Sequence, residues 1–301
     1  MKNITEIKNI FNIEETIDLR NTLDAGQSFI WQDISKREKI IFEGYFEDIK
    51  LHLEQKKKNI SVTVFSENHD SNLIFRLKKY LGTPTNKIQR FDVLLNDKII
   101  SPVIKKYPGL RILKQDPWEA TIGFITSSCS NLPRIKKHMS QLRKVTGGFF
   151  PKPEDILYLG EDDLRKLGFG FRSPYIINAA NIILNEKLSF DHLKQIPYEI
   201  ALIELLKIHG VGRKIADCIL AYSLDKSDSF PVDRHVLSGL IKWYGLPKKT
   251  NPVVASDFAR KKFGDLSSYA QQYIFHRQRL ASRALLWGGR HKSFAIDNDI
   301  D

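Results

Sequence analysis

The sequence is poor in cysteine, with Cys129 and Cys218 as the only two among its 301 residues. Two thiols are too few for a four-cysteine zinc site or a cysteine-bound iron–sulfur cluster. Long apolar runs are also missing, since no segment approaches the ~18 apolar residues that a membrane helix needs. The opening "MKNITEIKNIFNIEETIDL" has no uninterrupted apolar segment of the kind found in secretion signals. We therefore predict a soluble cytoplasmic protein with no iron–sulfur cluster and no membrane partner.

Acidic residues are outnumbered by basic ones. The chain has 47 lysines and arginines against 35 aspartates and glutamates, which gives a formal net charge of +12. Such an excess favours a polyanionic partner, and nucleic acid more than a membrane surface. The alternative is a lysine-rich surface that only keeps the protein in solution, and composition by itself does not decide between the two.

Strand-like patterns occupy the first third of the chain, and helical patterns occupy the rest. Period-2 alternation of β-branched and aromatic residues occurs in "QSFIWQDI", "KIIFEGYFEDIKLHLEQ" and "NISVTVFSE". These segments predict an antiparallel meander with one face on a core. With the helical remainder, they indicate an α+β protein. We predict an N-terminal antiparallel sheet domain with flanking helices over residues 1–115, followed by a mainly helical domain over residues 116–301.

Helical periodicity predominates from about residue 91 onward. Asp116 and Pro117 in "DPWEATIGFITSS" are a typical N-cap and first helical residue. Pro102 interrupts the amphipathic pattern of "DVLLNDKIISPVIKKYPG". Further helices are predicted in "SNLIFRLKKYLG", "LPRIKKHMSQLRKVTGG", "RSPYIINAANIILNEK", "PYEIALIELLKIHG", "GRKIADCILAYSL", "DRHVLSGLIKWYG" and "SSYAQQYIFHRQRLASRALLW".

The stretch "KIHGVGRKIADC" lies between two helical patterns and predicts a helix, a tight turn and a second helix over about residues 200–224. Gly210 and Gly212 allow positive φ angles and a close approach of another backbone. The first amides of the second helix are then free to bind an anion such as a DNA phosphate. The alternative is an ordinary helical hairpin, because short glycine motifs specify function loosely.

Two charged residues near this turn, Lys214 and Asp233, form a more specific combination. At the start of a helix and beside Ile215 and Ile219, the ammonium form of Lys214 is disfavoured. A neutral amine attacks carbon electrophiles and forms Schiff bases. Asp233 follows Pro231 and suits a helix N-cap, and it is also an ionised group that can stabilise positive charge on a sugar. A solvated lysine and a plain capping aspartate are the alternatives.

The segment "HGVGRKIADC" and the later "FPVDRHV" resemble the helix-hairpin-helix and Gly/Pro-Asp signature of a DNA glycosylase superfamily. Within it, the chain is most similar to the 8-oxoguanine DNA glycosylase/AP lyase family. The segments "AGQSFIWQ", "QDPWEATIGFITSS", "LRKLGFGFRSPYI" and "SYAQQYIF" resemble that family in the same order. The resemblance covers nearly the whole chain, and the combination of motifs is highly specific.

The resemblance implies a bifunctional enzyme of base excision repair. In the family, the hairpin lysine attacks C1′ of the damaged nucleoside, the base departs, a Schiff base forms and β-elimination nicks the strand. That role falls on Lys214, and the motif aspartate, here Asp233, stabilises the oxocarbenium-like sugar. The nucleotide must leave the duplex, because C1′ is shielded within the stack. The implied partner is double-stranded DNA containing 8-oxoguanine, preferably opposite cytosine, bound by a monomer.

Four residues match the base pocket of the family. Gly26 matches the residue whose backbone carbonyl accepts the N7 proton that 8-oxoguanine has and guanine lacks. One buried hydrogen bond would then carry much of the discrimination. Cys218 and Phe275 match the residues that sandwich the base, and Gln271 matches one that contacts its Watson–Crick edge. Without the resemblance, core packing is the better interpretation of Cys218 and Phe275.

Four more residues match contacts to the rest of the DNA. His235 matches a residue near the lesion-strand phosphate, and Phe171 an aromatic that wedges into the duplex. Arg172 and Arg134 match arginines that read the orphaned cytosine, although solvated cations or phosphate contacts are alternatives. The chemistry requires no metal ion and no cofactor. Backbone carbonyls of the hairpin in this superfamily can nevertheless hold a structural cation beside the phosphate.

Cys129 departs from the family pattern, because eukaryotic members carry an asparagine there that fills the space left by the flipped base and contacts the cytosine. A thiol cannot reproduce the hydrogen bonds of an amide. We therefore hypothesise a weaker preference for cytosine than in the eukaryotic enzymes.

Other functions of the superfamily are the competing interpretations. The cysteine count excludes the cluster-bearing relatives, and Lys214 argues against the alkylbase glycosylases, which lack the lysine. A monofunctional or differently specific glycosylase, such as a thymine- or uracil-directed one, is one alternative. A non-catalytic DNA-binding module is the other, and the presence of both Lys214 and Asp233 speaks against it.

Overall fold

The N-terminal part of the protein is built on one antiparallel sheet. The computed structural model describes residues 7–12, 17–36, 39–65, 72–82, 91–185 and 187–286. The strands lie in the spatial order β1-β5-β4-β3-β2, and every pair is antiparallel. They are β1 (Ile7–Asn12), β2 (Gln32–Asp33), β3 (Ile40–Phe46), β4 (Ile49–Lys56) and β5 (Asn59–Val64).

Strands β2 to β5 form the predicted meander, and β1 adds a fifth strand beside β5. The pattern of "IKNIFN" does not predict β1, because it lacks period-2 alternation. The prediction of a longer strand in "QSFIWQDI" is wrong, since only Gln32–Asp33 pairs with β3. Trp31 is instead fully buried, and its indole nitrogen donates to the Tyr80 hydroxyl at 2.8 Å. Side-chain packing holds this segment in place of a strand ladder.

Two helices, α1 (Leu19–Leu23) and α2 (Leu73–Tyr80), pack on the sheet. Alternate residues of the strands point towards these helices. Leu51 and Leu53 of β4 are fully buried there, as is Leu23 of α1. Truncation of one such buried leucine to alanine costs about 2–5 kcal/mol, so each of them contributes to the packing of the helices on the sheet.

The rest of the described chain is mainly helical. The side chain of Asp116 accepts a hydrogen bond from the backbone nitrogen of Glu119 at 2.8 Å, so the predicted N-cap is confirmed. The helices are α3 (Asp92–Asn96), α4 (Ser101–Lys106), α5 (Pro117–Thr126), α6 (Leu132–Val145), α7 (Pro153–Lys166), α8 (Ser173–Leu184), α9 (Phe190–Gln195), α10 (Tyr198–Leu205), α11 (Arg213–Ser223), α12 (Arg234–Tyr244), α13 (Pro252–Phe263) and α14 (Ser267–Leu286).

Two features of these helices differ from the sequence predictions. Pro102 does not interrupt a helix but lies in the first turn of α4, where its missing amide has no partner to lose. Helices α7, α9 and α13 were not predicted. The pattern of α7 is divided by Gly160, whose φ of 73° and ψ of 173° break the helix, and α9 is only 6 residues long. Helix α7 is therefore too irregular, and α9 too short, to show a clear helical period.

The second core surrounds α5, which is buried on nearly every side. Its residues from Ala120 to Thr126 are all buried, and the helix packs directly on α11. Helix α14 packs against α4, α12 and α13. Within the part of the chain that the structure describes, no helix combines the length and the apolar character needed to cross a membrane.

A buried arginine joins the sheet to the helices. Arg143 of α6 donates to Asp48 in the β3–β4 turn and to Glu119 of α5, each at 2.7 Å. Its guanidinium carbon lies 4.9 Å from the centroid of the Tyr45 ring. Burial raises the pKa of Glu119 to about 7, although the positive charge of Arg143 opposes the shift. These contacts tie the sheet to α5 and α6 beside the cleft described next.

Candidate active site

The predicted hairpin is formed by α10, a tight turn and α11. Gly210 has a φ of +85°, and a Cβ atom added there would lie 2.3 Å from Cγ of Tyr175. The position therefore requires glycine for its backbone and for the space beside it. Gly212 is the N-cap of α11 in extended backbone, and no side chain caps this helix. Among the residues that the structure describes, no side chain accepts from its first amides, as an anion site at a helix N-terminus requires.

Lys214 lies half-buried in the first turn of α11. Its Nζ donates to the hydroxyl of Ser127 at 3.3 Å and lies 5.7 Å from the centroid of the Phe124 ring. Ser127 is the C-cap of α5, so the amine faces the C-terminal end of that buried helix. The lysine is thus neither a fully solvated cation nor a core residue, and its amine lies at the edge of a cleft.

Cys218 lies one helical turn after Lys214 on α11 and is buried. Burial raises the pKa of the Cys218 thiol to about 12, although the charge of Lys214 opposes the shift. The sulfur is therefore a neutral thiol at neutral pH, and a thiol is a far weaker nucleophile than a thiolate. Its position suits packing against a ligand and not attack on one.

Asp233 caps α12, and its Oδ1 accepts a hydrogen bond from the backbone nitrogen of Val236 at 2.8 Å. The capping role inferred from the sequence is confirmed. His235 lies in the first turn of the same helix, with its ring centroid 6.0 Å from that of Phe275 in an edge-on arrangement. Burial lowers the pKa of His235, while the Asp233 carboxylate opposes the shift. A helix cap therefore brings one carboxylate and one imidazole to the same side of the cleft.

Gly26 and Phe275 lie against each other although they belong to opposite ends of the chain. Gly26 has a φ of +73°, and a Cβ atom added there would lie 2.9 Å from Cε1 of Phe275. The segment around Gly26 is fixed by Gln27, whose side chain donates to the carbonyl of Arg111 at 2.7 Å and accepts from the nitrogen of Leu113 at 2.9 Å. The backbone at Gly26 is thus held in a defined orientation.

Gln271 is buried on α14 and shares a hydroxyl partner with its neighbour. The Tyr222 hydroxyl lies 2.7 Å from Oε1 of Gln271 and 2.8 Å from Oε1 of Gln272. Because a hydroxyl has one proton, it donates to one of them at a time. Gln272 donates in turn to the carbonyl of Ala25 at 2.8 Å and so ties α14 to the segment next to Gly26. Sequence reasoning missed Tyr222 and Gln272, and the paired glutamines of "SYAQQYIF" are the only signal for the latter.

These residues surround one cleft of about 1990 Å³ between the sheet and the helices. Eight of the twelve predicted site residues line it, and Ser127 and Tyr222 line it with them. The eight are Gly26, Gly212, Lys214, Cys218, Asp233, His235, Gln271 and Phe275. The structure therefore brings together both predicted catalytic residues, all four predicted pocket residues and two predicted DNA contacts.

The other four predicted residues lie outside the lining of the cleft. Gly210 lies in the hairpin turn behind Gly212. Phe171 is 47% exposed, and its ring centroid lies 6.2 Å from that of Tyr175. Arg134 is exposed in the first turn of α6. Because both side chains are exposed, Phe171 and Arg134 are accessible to a ligand outside the cleft.

Arg172 is buried, with 3% of its surface exposed, whereas an arginine on a basic helix is expected to be exposed. Its guanidinium donates to the carbonyls of Ser128 and Cys129, the latter at 3.1 Å, and also to that of Phe169 at 3.3 Å. It lies over the ring of Phe171, 4.4 Å from the centroid. In this structure Arg172 supports the turn at residues 128–129. The alternative of a solvated cation is therefore wrong, and the contact with the orphaned cytosine stays a prediction.

Comparison with known proteins identifies the family. A family model described as "8-oxoguanine DNA glycosylase, N-terminal domain" matches residues 9–121, and one described as "HhH-GPD superfamily base excision DNA repair protein" matches residues 122–264. The chain belongs to the 8-oxoguanine DNA glycosylase family. The boundaries predicted at residues 1–115 and 116–301 stay predictions.

Relatives in this family support the assignment along most of the chain. The N-glycosylase/DNA lyase of Saccharomyces cerevisiae is 31% identical over 255 residues, which are 72% of this chain and 66% of that protein. The N-glycosylase/DNA lyase OGG1 of Arabidopsis thaliana is 27% identical over 292 residues, which are 88% of this chain and 78% of that protein. The chain is accordingly a DNA N-glycosylase with lyase activity.

A solved structure of a family member has the same fold. The Clostridium acetobutylicum 8-oxoguanine glycosylase/lyase, in complex with double-stranded DNA containing cytosine opposite 8-oxoguanine, superimposes with a TM-score of 0.82 at 26% identity. The match covers 92% of this chain and 97% of that one. The α+β fold predicted from the sequence, a sheet followed by a helix-hairpin-helix domain, is confirmed.

Proposed function

We propose that the protein excises 8-oxoguanine from double-stranded DNA and then nicks the strand, with Lys214 as the nucleophile. The observation that carries the proposal is that the Lys214 amine shares one cleft with Gly26, Cys218, Gln271 and Phe275, the residues predicted to hold the base. The similarity to a glycosylase/lyase solved with DNA containing 8-oxoguanine opposite cytosine supports the same substrate.

The arrangement of the cleft supports a specific mode of base recognition. The damaged nucleotide turns out of the duplex, and its base lies between Cys218 and Phe275. The Gly26 carbonyl accepts the N7 proton of 8-oxoguanine, whereas guanine presents an acceptor at N7 and leaves that carbonyl unpaired. An unpaired buried acceptor costs about 1–3 kcal/mol, which is enough to favour the damaged base. Gln271, with its Oε1 beside the Tyr222 hydroxyl, contacts the Watson–Crick edge.

The chemistry requires an amine and a carboxylate beside one sugar, and Lys214 and Asp233 line the same cleft. The lone pair of Lys214 Nζ forms a bond to C1′ while the C1′–N9 bond breaks, and the base leaves with the bonding electrons and gains a proton. Ring opening gives the Schiff base, after which loss of a proton from C2′ breaks the C3′–O3′ bond and nicks the strand. The Asp233 carboxylate stabilises the positive charge that develops on the sugar.

The rest of the duplex meets a basic surface around this cleft. The hairpin amides at Gly212 and the side chain of His235 approach the lesion-strand phosphates, and the hairpin carbonyls can hold a structural cation there. Phe171 wedges into the stack, and Arg134 and Arg172 face the orphaned cytosine. Arg172 must then exchange part of its bonding to the turn carbonyls for the base. The enzyme acts as a monomer, without a cofactor, in the cytoplasm, and it is associated with the nucleoid if the organism is prokaryotic.

Borohydride trapping tests this proposal, because reduction of the Schiff base leaves a stable protein–DNA adduct. We expect an adduct on a duplex with 8-oxoguanine opposite cytosine, and none with Lys214→Gln or on undamaged DNA. Base release without an adduct would indicate a monofunctional glycosylase. Activity on a duplex with another lesion, and not on this one, would indicate a different specificity. DNA binding with neither product would leave a non-catalytic module and overturn the proposal.

A further inference from the structure

The C-terminal end of α5 provides the hydrogen-bond partner of the proposed nucleophile. The Ser127 hydroxyl donates its one proton to the carbonyl of Phe124 at 2.6 Å. Towards Lys214 it can therefore only accept, and Nζ donates to it at 3.3 Å. Among the described residues, this hydroxyl is the one hydrogen-bond partner of the Lys214 amine.

The hydroxyl is held on a rigid support. Helix α5 is buried along its length, and Ser127 ends it with backbone bonds to the carbonyls of Gly123 at 3.0 Å and Phe124 at 3.1 Å. The Phe124 ring packs edge-on against Phe29, with centroids 5.3 Å apart, and is stacked on Tyr222 at 5.7 Å. Because these neighbours are buried, the position of the Ser127 oxygen is set by the core and not by solvent.

We infer that Ser127 is a positioning residue for the reaction of Lys214. The inference rests on the proposed role of Lys214 as the nucleophile. An amine nitrogen is tetrahedral, so the N–H bond directed at Ser127 leaves the lone pair directed away from α5. The hydroxyl thus turns the lone pair towards the open side of the cleft, where C1′ of a flipped nucleotide arrives. Holding the reacting atoms in such an alignment accelerates bond formation without any chemical role for the hydroxyl itself.

The neighbouring hydroxyl provides a matched comparison. Thr126 donates to the carbonyl of Ile122 at 2.7 Å, which is the same kind of bond that Ser127 makes to Phe124. Thr126 is buried and does not line the cleft, whereas Ser127 does. Thr126→Val therefore removes a helix hydroxyl of the same kind without changing the partner of the amine.

The experiment compares Ser127→Thr with Ser127→Val, because these two side chains have the same shape and differ only in the hydroxyl. Single-turnover excision and DNA affinity are measured on an 8-oxoguanine duplex, and adduct formation is measured on a duplex with a preformed abasic site. We expect Ser127→Val to excise and to form adducts about tenfold to one hundredfold more slowly, with the dissociation constant for DNA within about twofold of the unmodified protein. Ser127→Thr and Thr126→Val should stay within about threefold of the unmodified rate.

Equal rates for Ser127→Val and Ser127→Thr, both folded by thermal unfolding, would overturn the inference. A loss confined to DNA affinity, with the single-turnover rate retained, would overturn it as well. If the unmodified protein forms no adduct, the proposed function itself fails, and that result is distinct from an adduct that Ser127→Val forms at full rate. Because threonine and valine have the same shape, a difference between the two variants reports on the hydroxyl and not on packing.

Discussion

The ring of Phe275 lies so close to the backbone of Gly26 that there is no space for a side chain at position 26. An added Cβ atom would stand 2.9 Å from Cε1 and 3.1 Å from Cζ of that ring. The contact sets the distance between the carbonyl proposed to select the base and the ring proposed to stack on it.

Gly26→Ala should reduce excision of 8-oxoguanine at least about tenfold, because the methyl group displaces Phe275 and alanine is strained at this φ of +73°. Gly147→Ala is the control. Gly147 has the same φ of +73°, but a Cβ atom there would meet nothing within 4 Å. Single-turnover rates on one duplex compare the two variants, and an equal effect of both would assign the loss to backbone strain alone.

Cys129→Asn should increase the preference for cytosine opposite the lesion. Cys129 is exposed and has a φ of 48°, a left-handed conformation that asparagine tolerates better than most residues. The new amide adds donors and an acceptor beside the turn that Arg172 supports. Excision rates opposite the four bases are the measurement, with Cys129→Ser as the variant that lacks the amide. A strong cytosine preference in the unmodified protein would refute the hypothesis of weak discrimination.

Arg213 should contribute to stability and not to DNA affinity, although it lies in the hairpin motif. It donates to Asp217 at 3.0 Å and to Asp257 at 2.8 Å, and Asp217 is fully buried. Arg213→Ala leaves a buried carboxylate without its cation and should lower the free energy of unfolding by about 3–5 kcal/mol. Asp217→Asn in the same chain should recover part of the loss.

The salt dependence of DNA binding separates this role from a phosphate contact. Loss of a phosphate contact reduces the slope of log K against log salt concentration by about 1. We expect the slope of Arg213→Ala to equal that of the unmodified protein, measured at a temperature where both are folded. A reduced slope would show that Arg213 leaves the two aspartates and contacts the DNA.

His276 should make the protein sensitive to mild acid. Burial lowers its pKa from 6.5 to about 3, and the charge of Arg279 adds to this shift. The unfolded chain binds a proton below pH 6.5 and the folded one does not until about pH 3. The contribution of His276 to stability is therefore complete above pH 6.5 and is lost as the pH falls towards 3. Between pH 6.5 and 5 the loss is roughly 1.5 kcal/mol.

His276→Gln removes the titrating imidazole. The free energy of unfolding should therefore fall by roughly 1.5 kcal/mol less between pH 6.5 and 5 than in the unmodified protein. Chemical denaturation at several pH values measures it. His192→Gln, at an exposed position on α9, is the control for the same substitution outside the core. An unchanged slope in His276→Gln would mean that another group carries the acid sensitivity.

Features that depend on neighbouring residues were predictable from the sequence. The meander, the cap at Asp116 and the glycine hairpin each follow from a few consecutive residues, and the motif order pointed to the family. Contacts between distant segments were not predictable in the same way. Neither the bond from Lys214 to Ser127 nor that from Gln272 to Ala25 leaves a periodic signal, because each depends on how whole helices pack.

Arg172 illustrates a second limit of sequence reasoning. Its position next to an aromatic residue in a basic protein suits an exposed cation, and the resemblance suggests a base contact. The structure buries it against backbone carbonyls of residues 128 and 129, so the exposed cation is wrong, whereas the base contact stays a prediction. The residues next to Arg172 in the sequence do not indicate whether its guanidinium supports a turn or meets solvent. The carbonyls that bind it come from another part of the chain.

The tie between Gln272 and Ala25 joins positions 247 residues apart. A ribosome makes the chain from its N-terminus, so the hairpin and Lys214 emerge well before α14 does. Until α14 has been made, the chain contains Lys214 but neither Phe275 nor the two glutamines. The residues proposed to hold the base are therefore complete only after the proposed nucleophile has been made, and a chain cut short before α14 has Lys214 without the full set.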